Sequence, residues 1–174
     1  PCEFNSYCMT DNPAGLDKDV IPVECTEKWL WDDILTMDQW WFWDAIKMSL
    51  FAPKLCGIDG KILFSDLDNL FLNRLDRVIQ TTPPAMISTN WNPNYHMGMH
   101  GGNYFLTMGF NASLIYVDNR SPITNEIWEH FVEYYQRAKG SLYSSDAYLW
   151  RCHRDKMNTY PSHTVYSHSR GSVY

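Results

Sequence analysis

Apolar residues along this chain fall into short unbroken runs separated by stretches of helical spacing. Runs such as Ile62-Leu63-Phe64, Ala85-Met86-Ile87 and Leu114-Ile115-Tyr116-Val117, bounded by Gly, Pro, Asp and Asn, are the pattern of strands covered on both faces. They predict strands at 61–67, at 85–90 after the Thr81-Thr82-Pro83-Pro84 break, and at 111–117. Upstream, 4–9 reads as a strand, Asn12-Pro13-Ala14-Gly15 as a turn, and 20–25 as an extended piece that Pro22 marks as an edge. Trp43, Ile46, Lys47 and Leu50 share one helical face, predicting a helix over 38–51 that Pro53 closes. Ser121-Pro122 opens a further helix whose apolar side is Ile127, Phe131, Tyr134, Tyr135 and Ala138, with Gly140 as its stop. Ser144 or Ser145 caps the last helix, which turns Tyr148, Leu149 and Cys152 inward. Strands alternating with helices predict an α/β fold with a mostly parallel, helix-covered sheet, and ligands gather at the carboxyl ends of such strands.

Composition narrows the functions on offer. A chain of 174 residues with 45% apolar content is sized for one domain, 1–174, with a real core. The net charge of −6 and the lack of a Lys/Arg run argue against a nucleic-acid surface. No apolar run approaches the ~20 residues that cross a bilayer. The five cysteines, at 2, 8, 25, 56 and 152, show no paired metal spacing, and their odd number suits a reducing cytoplasm. Pro1 is followed by no charged-then-apolar leader, so the chain reads as lacking a secretory signal, and as a fragment.

The candidate chemistry centres on Lys61-Ile62-Leu63-Phe64-Ser65-Asp66-Leu67-Asp68, an apolar strand running into two carboxylates. Residues two apart on a strand face one side, so Asp66 and Asp68 are placed to share a divalent cation. Mg²⁺ or Mn²⁺, which prefer oxygen ligands and leave positions for substrate phosphates, would relieve their repulsion. The plainer reading is an Asp- and Asn-rich turn. Between Asn90 and Phe110, residues Trp91, Tyr95, His96, His100, Gly101 and Gly102 show no periodicity, as in a binding loop or an ordinary surface loop.

Trp40-Trp41 with Lys47, the strand into Asp66-Leu67-Asp68, Leu72-Asn73-Arg74-Leu75-Asp76, Gly109-Phe110-Asn111-Ala112-Ser113 and Ser144-Ser145-Asp146-Ala147-Tyr148-Leu149 form an ordered set. That set resembles the Asp-x-Asp region and downstream motifs of metal-dependent GT-A glycosyltransferases, over about residues 4–170. The glycogenin-like and the bacterial or phage sugar-nucleotide transferases are the most similar. The resemblance implies a GT-A (Rossmann-like) domain, N-terminally shortened: Phe4 to Asn12 matches the family's second strand and turn, and its first nucleotide-binding strand is missing. It also implies hexose transfer from a nucleoside-diphosphate sugar, by default a UDP-sugar, to a glycan, lipid or protein acceptor, with retention of configuration.

On this resemblance Asp66, Asp68 and a C-terminal histidine, His168 with His163 behind it, hold the metal. Lys47 and Asp11 meet the donor, and Asn111 and Asp146 contact sugar near the reacting carbon. Ala147 stands where the family has Gln, so no nucleophile is assigned. Plainer readings stand beside these: Lys47 as a snorkelling surface lysine, Asp11 as a turn residue, Asp146 as an acid favouring the helix dipole, and His168 as a solvated terminal histidine. Trp29 and Trp31, in a loop-like stretch, are the expected sugar contacts, with Trp40, Trp41 and Trp43 in the core. Two other functions fit parts of the pattern. One is a non-catalytic module binding a sugar nucleotide or glycan. The other is a haloacid-dehalogenase-like phosphatase with Asp66 as nucleophile, although that family expects Gly or Thr after the acid pair and this chain has Asn69-Leu70.

Overall fold

The computed structural model describes residues 4–36, 40–89, 109–138, 144–161 and 163–165, with the side chains of residues 35, 40–43 and 138 left aside. In chain order the elements are β1 (Ser6–Met9), β2 (Val20–Val23), α1 (Lys28–Leu35), 3₁₀ turns over Trp40–Phe51 and Leu55–Gly57, and β3 (Lys61–Ser65). There follow α2 (Asp76–Ile79), β4 (Ala85–Ser88), β5 (Phe110–Asp118), α3 (Pro122–Ala138), α4 (Ser145–His153) and β6 (Asn158–Thr159). β1 and β2 pair in parallel as a two-stranded sheet, and the other four strands form a sheet in the order β3-β5-β4-β6.

The result is a mixed α/β fold, and the sheet differs from the mostly parallel one expected. In the four-stranded sheet β5 runs antiparallel to both β3 and β4, and of the described pairings there the β4–β6 one is parallel. β3 and β4 run the same way, joined through α2, and β5 enters between them in the opposite direction, so each of its two ladders is antiparallel.

β5 fixes the two faces of the sheet. Phe110 and Ala112, then Ile115 and Val117, belong to the larger core, whereas Leu114 and Tyr116 belong to the smaller one. The inward set moves from even to odd positions because β5 bulges. Met86 is paired with Ile115, and the next residue, Ile87, with Asn111, so Ala112, Ser113 and Leu114 leave the β4 ladder. A register step of odd length turns the alternation over, and such bulges re-aim backbone and side chains at sheet rims.

Over the larger face lie the 3₁₀ segment, α1, α3 and α4. α3 presents Thr124, Ile127, Trp128, Phe131 and Tyr135, all buried at helical spacing, and the 3₁₀ segment contributes Ala45, Met48, Leu50 and Phe51. Each large apolar side chain sealed in this way contributes about 1.5–3 kcal/mol. The smaller face is covered by Val78 of α2 with Ala85, Ile87, Leu114, Tyr116 and Tyr160. At the start of β3 the buried Asn119 accepts from Gly60 N–H at 2.7 Å and donates to the Ile58 carbonyl at 2.8 Å, which ties the entry of β3 to the exit of β5. Gly109 is required where it stands, since a Cβ there would lie 2.3 Å from the Trp150 ring.

Several expectations are revised by these elements. The region 40–51 is 3₁₀ rather than α-helical. Residues 28–35, read as loop-like, form α1, on which Trp29, 41% exposed, packs edge-on against Tyr135 and tilted against Trp128. Trp31 lies on the same helix, 39% exposed. Ser144 is the cap of α4, its hydroxyl accepting from Ala147 N–H at 3.1 Å. The loop aromatics Trp91 and Tyr95, the stop at Gly140 and the side chains of Trp40, Trp41 and Trp43 lie outside the described residues. Among the described residues no helix is long and apolar enough to cross a membrane.

Candidate functional site

One rim of the four-stranded sheet collects the polar residues. The carboxyl end of β3 meets the amino end of β5, because Ser65 is paired with Leu114. Just past β3 the chain turns, with Asn69 N–H donating to the Asp66 carbonyl at 3.2 Å. The Ser113 carbonyl anchors this turn, accepting from Asp66 N–H at 2.9 Å and from the Asn69 side-chain amide. Ser113 is free for the task because the bulge has released it from β4. The Asn111 side chain stabilises the bulge by accepting from Ser113 N–H at 3.1 Å and from the Ser113 hydroxyl.

Over this rim sit the middle of the 3₁₀ segment and the first turn of α4. Lys47 donates to Asp66 Oδ2 at 2.8 Å, pairs with Asp44 Oδ1 at 3.0 Å and stands over the Phe64 ring. Its side chain is 16% exposed. Asp44 in turn accepts from Ser145 N–H at 2.9 Å and from the Ser145 hydroxyl, so the 3₁₀ segment is stitched to the start of α4. Asp146, the next residue, is half-buried and accepts from the Ala112 backbone amide in the bulge, while its Oδ1 is sealed from solvent with no partner.

Two carboxylates therefore share one ammonium, with a third close enough to feel its charge. Burial disfavours the Lys47 cation, yet the Asp44 charge and the hydrogen bonds to Asp66 and Asp44 outweigh it and raise its pKa. Asp66 is raised as well: burial and the charges of Asp44 and Asp68 together exceed the pull of Lys47. Asp146 moves furthest. Burial first, then the Asp44 charge, push it up to about 8 against the opposing Lys47 charge and the Ala112 amide. A helix N-terminus favours an anion by about 0.3–1 kcal/mol, rarely 2, whereas each unit of this shift is worth about 1.4 kcal/mol, so desolvation wins. Asp146 is thus biased toward its neutral, protonated form.

The sequence-derived residues divide into those the rim unites and those it does not. Asp66, Lys47 and Asp146 converge, with Asn111 holding the bulge beside them. The side-chain oxygen of Asn111 accepts both bonds from Ser113, which leaves its NH2 as the group for the expected contact with a sugar hydroxyl. Asp68 is exposed in the turn, where its charge is still felt by Asp66. Its relation to Asp66 is set by turn geometry, since β3 ends at Ser65 and the two-residue period of a strand does not extend to the pair. Asp11 is exposed, just past β1 on the two-stranded sheet. His163 is exposed with a left-handed backbone, φ 62°. His168 lies outside the described residues. Among the described residues no three His, Cys, Asp or Glu side chains form a metal cage.

Asp44 was not anticipated. The signal was there: it lies three residues before Lys47, the spacing of an ion pair on one helical face. A depression of about 560 Å³ lies elsewhere, lined by Arg77, Gln80, Thr81, Thr159, Tyr160 and Pro161. It shares no residue with the acid cluster and holds no group of perturbed acidity apart from the Tyr160 phenol, which burial raises. The rim is therefore the better candidate on chemical grounds.

Comparison with known protein families, with curated proteins and with solved structures found no match.

Proposed function

We propose that this chain is a metal-dependent glycosyltransferase of GT-A type that moves a hexose from a nucleoside-diphosphate sugar, by default a UDP-sugar, to a glycan, lipid or protein acceptor. The observation that carries this reading is the meeting of Asp66, Lys47 and Asp146, from three separate elements, at the sheet rim where β3 ends. The donor set fits a hard cation: Asp66 and Asp68 offer carboxylate oxygens, and the raised pKa of Asp66 marks an anion short of positive charge. Mn²⁺ or Mg²⁺, when bound, supplies Lewis-acid neutralisation of the departing diphosphate. His168 belongs to this reading as the third ligand.

The protein's own groups do the rest. Lys47 orients the Asp66 carboxylate and lends its charge to the donor's diphosphate side. Asp146, protonated, presents a carboxylic acid whose unpartnered buried oxygen calls for a polar partner, and a hydroxyl of the donor sugar is a suitable one. Asn111 keeps the bulge, and with it the Ala112 amide, in place. Asp11 is assigned to the nucleoside end. The free thiols of Cys8, Cys25, Cys56 and Cys152 accord with a cytoplasmic setting.

A second reading, a module that binds a sugar nucleotide without turnover, is favoured by one feature: Lys47 is already shared between two carboxylates. Incubation with Mn²⁺ and a panel of sugar nucleotides, following release of free nucleoside diphosphate, separates the two. Release that depends on Mn²⁺ and disappears in Asp68→Ala supports transfer. Binding without release supports the module, and neither binding nor release with any donor defeats both.

A further inference from the structure

Away from the acid rim, α3 and α4 bring together three donor atoms that the proposed transfer does not use. His130 Nδ1 lies 2.7 Å from the Tyr148 hydroxyl, that hydroxyl 3.0 Å from His153 Nε2, and the two nitrogens 3.1 Å apart. His130 is on the exposed side of α3, whereas Tyr148 and His153 are buried on α4, with 3% and 2% of their surface accessible. The rings pack against each other, His130 stacked on Tyr148 and edge-on to His153, so the three atoms are held as a triangle.

Hydrogen bonding between neutral groups makes two of the triangle's three contacts and leaves the third without a proton of its own. A neutral imidazole has one N–H and one lone pair, and the phenol has a single proton. With both facing nitrogens bare, the phenol satisfies one of them and two lone pairs oppose. With one protonated, two of the three contacts are made. With both protonated, two N–H groups collide. No arrangement of neutral groups satisfies all three contacts. A single cation accepts three lone pairs at once, and at the ~2.0–2.1 Å usual for zinc–imidazole bonds it would sit roughly 1 Å above the plane of these atoms.

We propose that His130 Nδ1, His153 Nε2 and the Tyr148 oxygen form a site for one borderline divalent transition ion of the zinc type, which clamps α3 to α4 and leaves a fourth position on the exposed His130 side. Two imidazoles with one phenol oxygen suit zinc, cobalt or copper better than the hard cations suited to carboxylates. Burial, followed by the His130 and Lys156 charges, lowers the His153 pKa to about 4, so its ring is neutral and able to ligate at neutral pH. The nearest lysine, Lys156, is held at 2.6 Å by Glu126, which offsets its repulsion of a cation. Burial raises the Tyr148 phenol, and a bound cation would draw its proton off.

The test is titration of protein lacking a polyhistidine tag with Zn²⁺, and with Co²⁺ as a visible-spectrum reporter. One ion per chain is expected at this site, counted as the difference between the parent and His130→Ala, with a Co²⁺ spectrum of four-coordinate intensity and an upward shift in Tm. His130→Ala, a change at an exposed side chain, should weaken the affinity at least tenfold and abolish the spectrum. Tyr148→Phe should alter the spectrum while keeping the fold, and Asp68→Ala should leave both affinity and spectrum intact. The proposal is overturned if no ion binds more tightly than about 0.1 mM, if His130→Ala binds as well as the parent, or if the signal vanishes in Asp68→Ala and survives in His130→Ala.

Discussion

The two ends of α4 hold two polar clusters built on opposite principles. At its amino end Asp146 joins Asp44, Asp66 and Lys47, where formal charges exceed what one ammonium balances. At its carboxyl end Tyr148 and His153 meet His130, where no group need be charged and the shortfall is of protons between lone pairs. Both are held by rigid packing, and both are incomplete on their own. On the readings proposed above, the first would be completed by a cation on exposed carboxylates together with an anionic, hydroxyl-bearing ligand, the second by a softer ion bound by nitrogen. Burial gives the two ends different meanings: it turns an acid neutral at one and keeps an imidazole neutral at the other.

The sharpest way to break this comparison is at the charged end. Asp68→Ala should lower Mn²⁺-dependent release of nucleoside diphosphate by about 100-fold or more, since the ion's charge stabilises the transition state directly. Loss of less than about threefold in the same assay would detach Asp68 from the site. Next in size is Lys47→Met, which strands Asp44 and Asp66 without their cation. Urea unfolding should show a loss of about 3 kcal/mol, the lower end of what breaking a buried pair costs, because both carboxylates keep some contact with water. A loss below 1 kcal/mol would mean the pair behaves as a surface salt bridge.

A smaller, pH-dependent effect follows from Asp146. Folded chains hold its proton where unfolded chains have released it, so its contribution is complete below the ordinary carboxylate pKa. That contribution falls as pH rises toward the folded value of about 8. The stability of the parent relative to Asp146→Asn should therefore decline as pH rises between about 4 and 8. Parallel curves would show that Asp146 ionises normally. Smallest is Tyr148→Phe in metal-free protein, which removes one hydroxyl from the neutral triangle and should cost about 1 kcal/mol by thermal unfolding. A cost as large as that of Lys47→Met would make the two ends energetically alike.

Much of the architecture was legible in the residues. The doubly covered strands wrote themselves as unbroken apolar runs, α3 as a clean helical stripe ending in Arg137 and Ala138, and Asp66 as the acid where a buried strand stops. What escaped is non-local. The antiparallel entry of β5 depends on pairing partners, and its bulge shows only as a change of parity between Ala112 and Ile115. α1 was missed because its buried residues among those described, Leu30 and Ile34, form one i, i+4 pair in eight residues, too short a span for helical periodicity to declare itself. The expectation that Asp66 and Asp68 share a face extended a strand one turn too far. The His130–Tyr148–His153 triangle spans two helices, and no local spacing announces it.

The most direct measurement is a calorimetric titration of the chain with UDP in the presence and absence of Mn²⁺, repeated with Asp68→Ala. Binding of one UDP per chain that requires Mn²⁺ and is lost in the variant is the result this account predicts. Absence of UDP binding, or binding indifferent both to Mn²⁺ and to the loss of the Asp68 carboxylate, would contradict it.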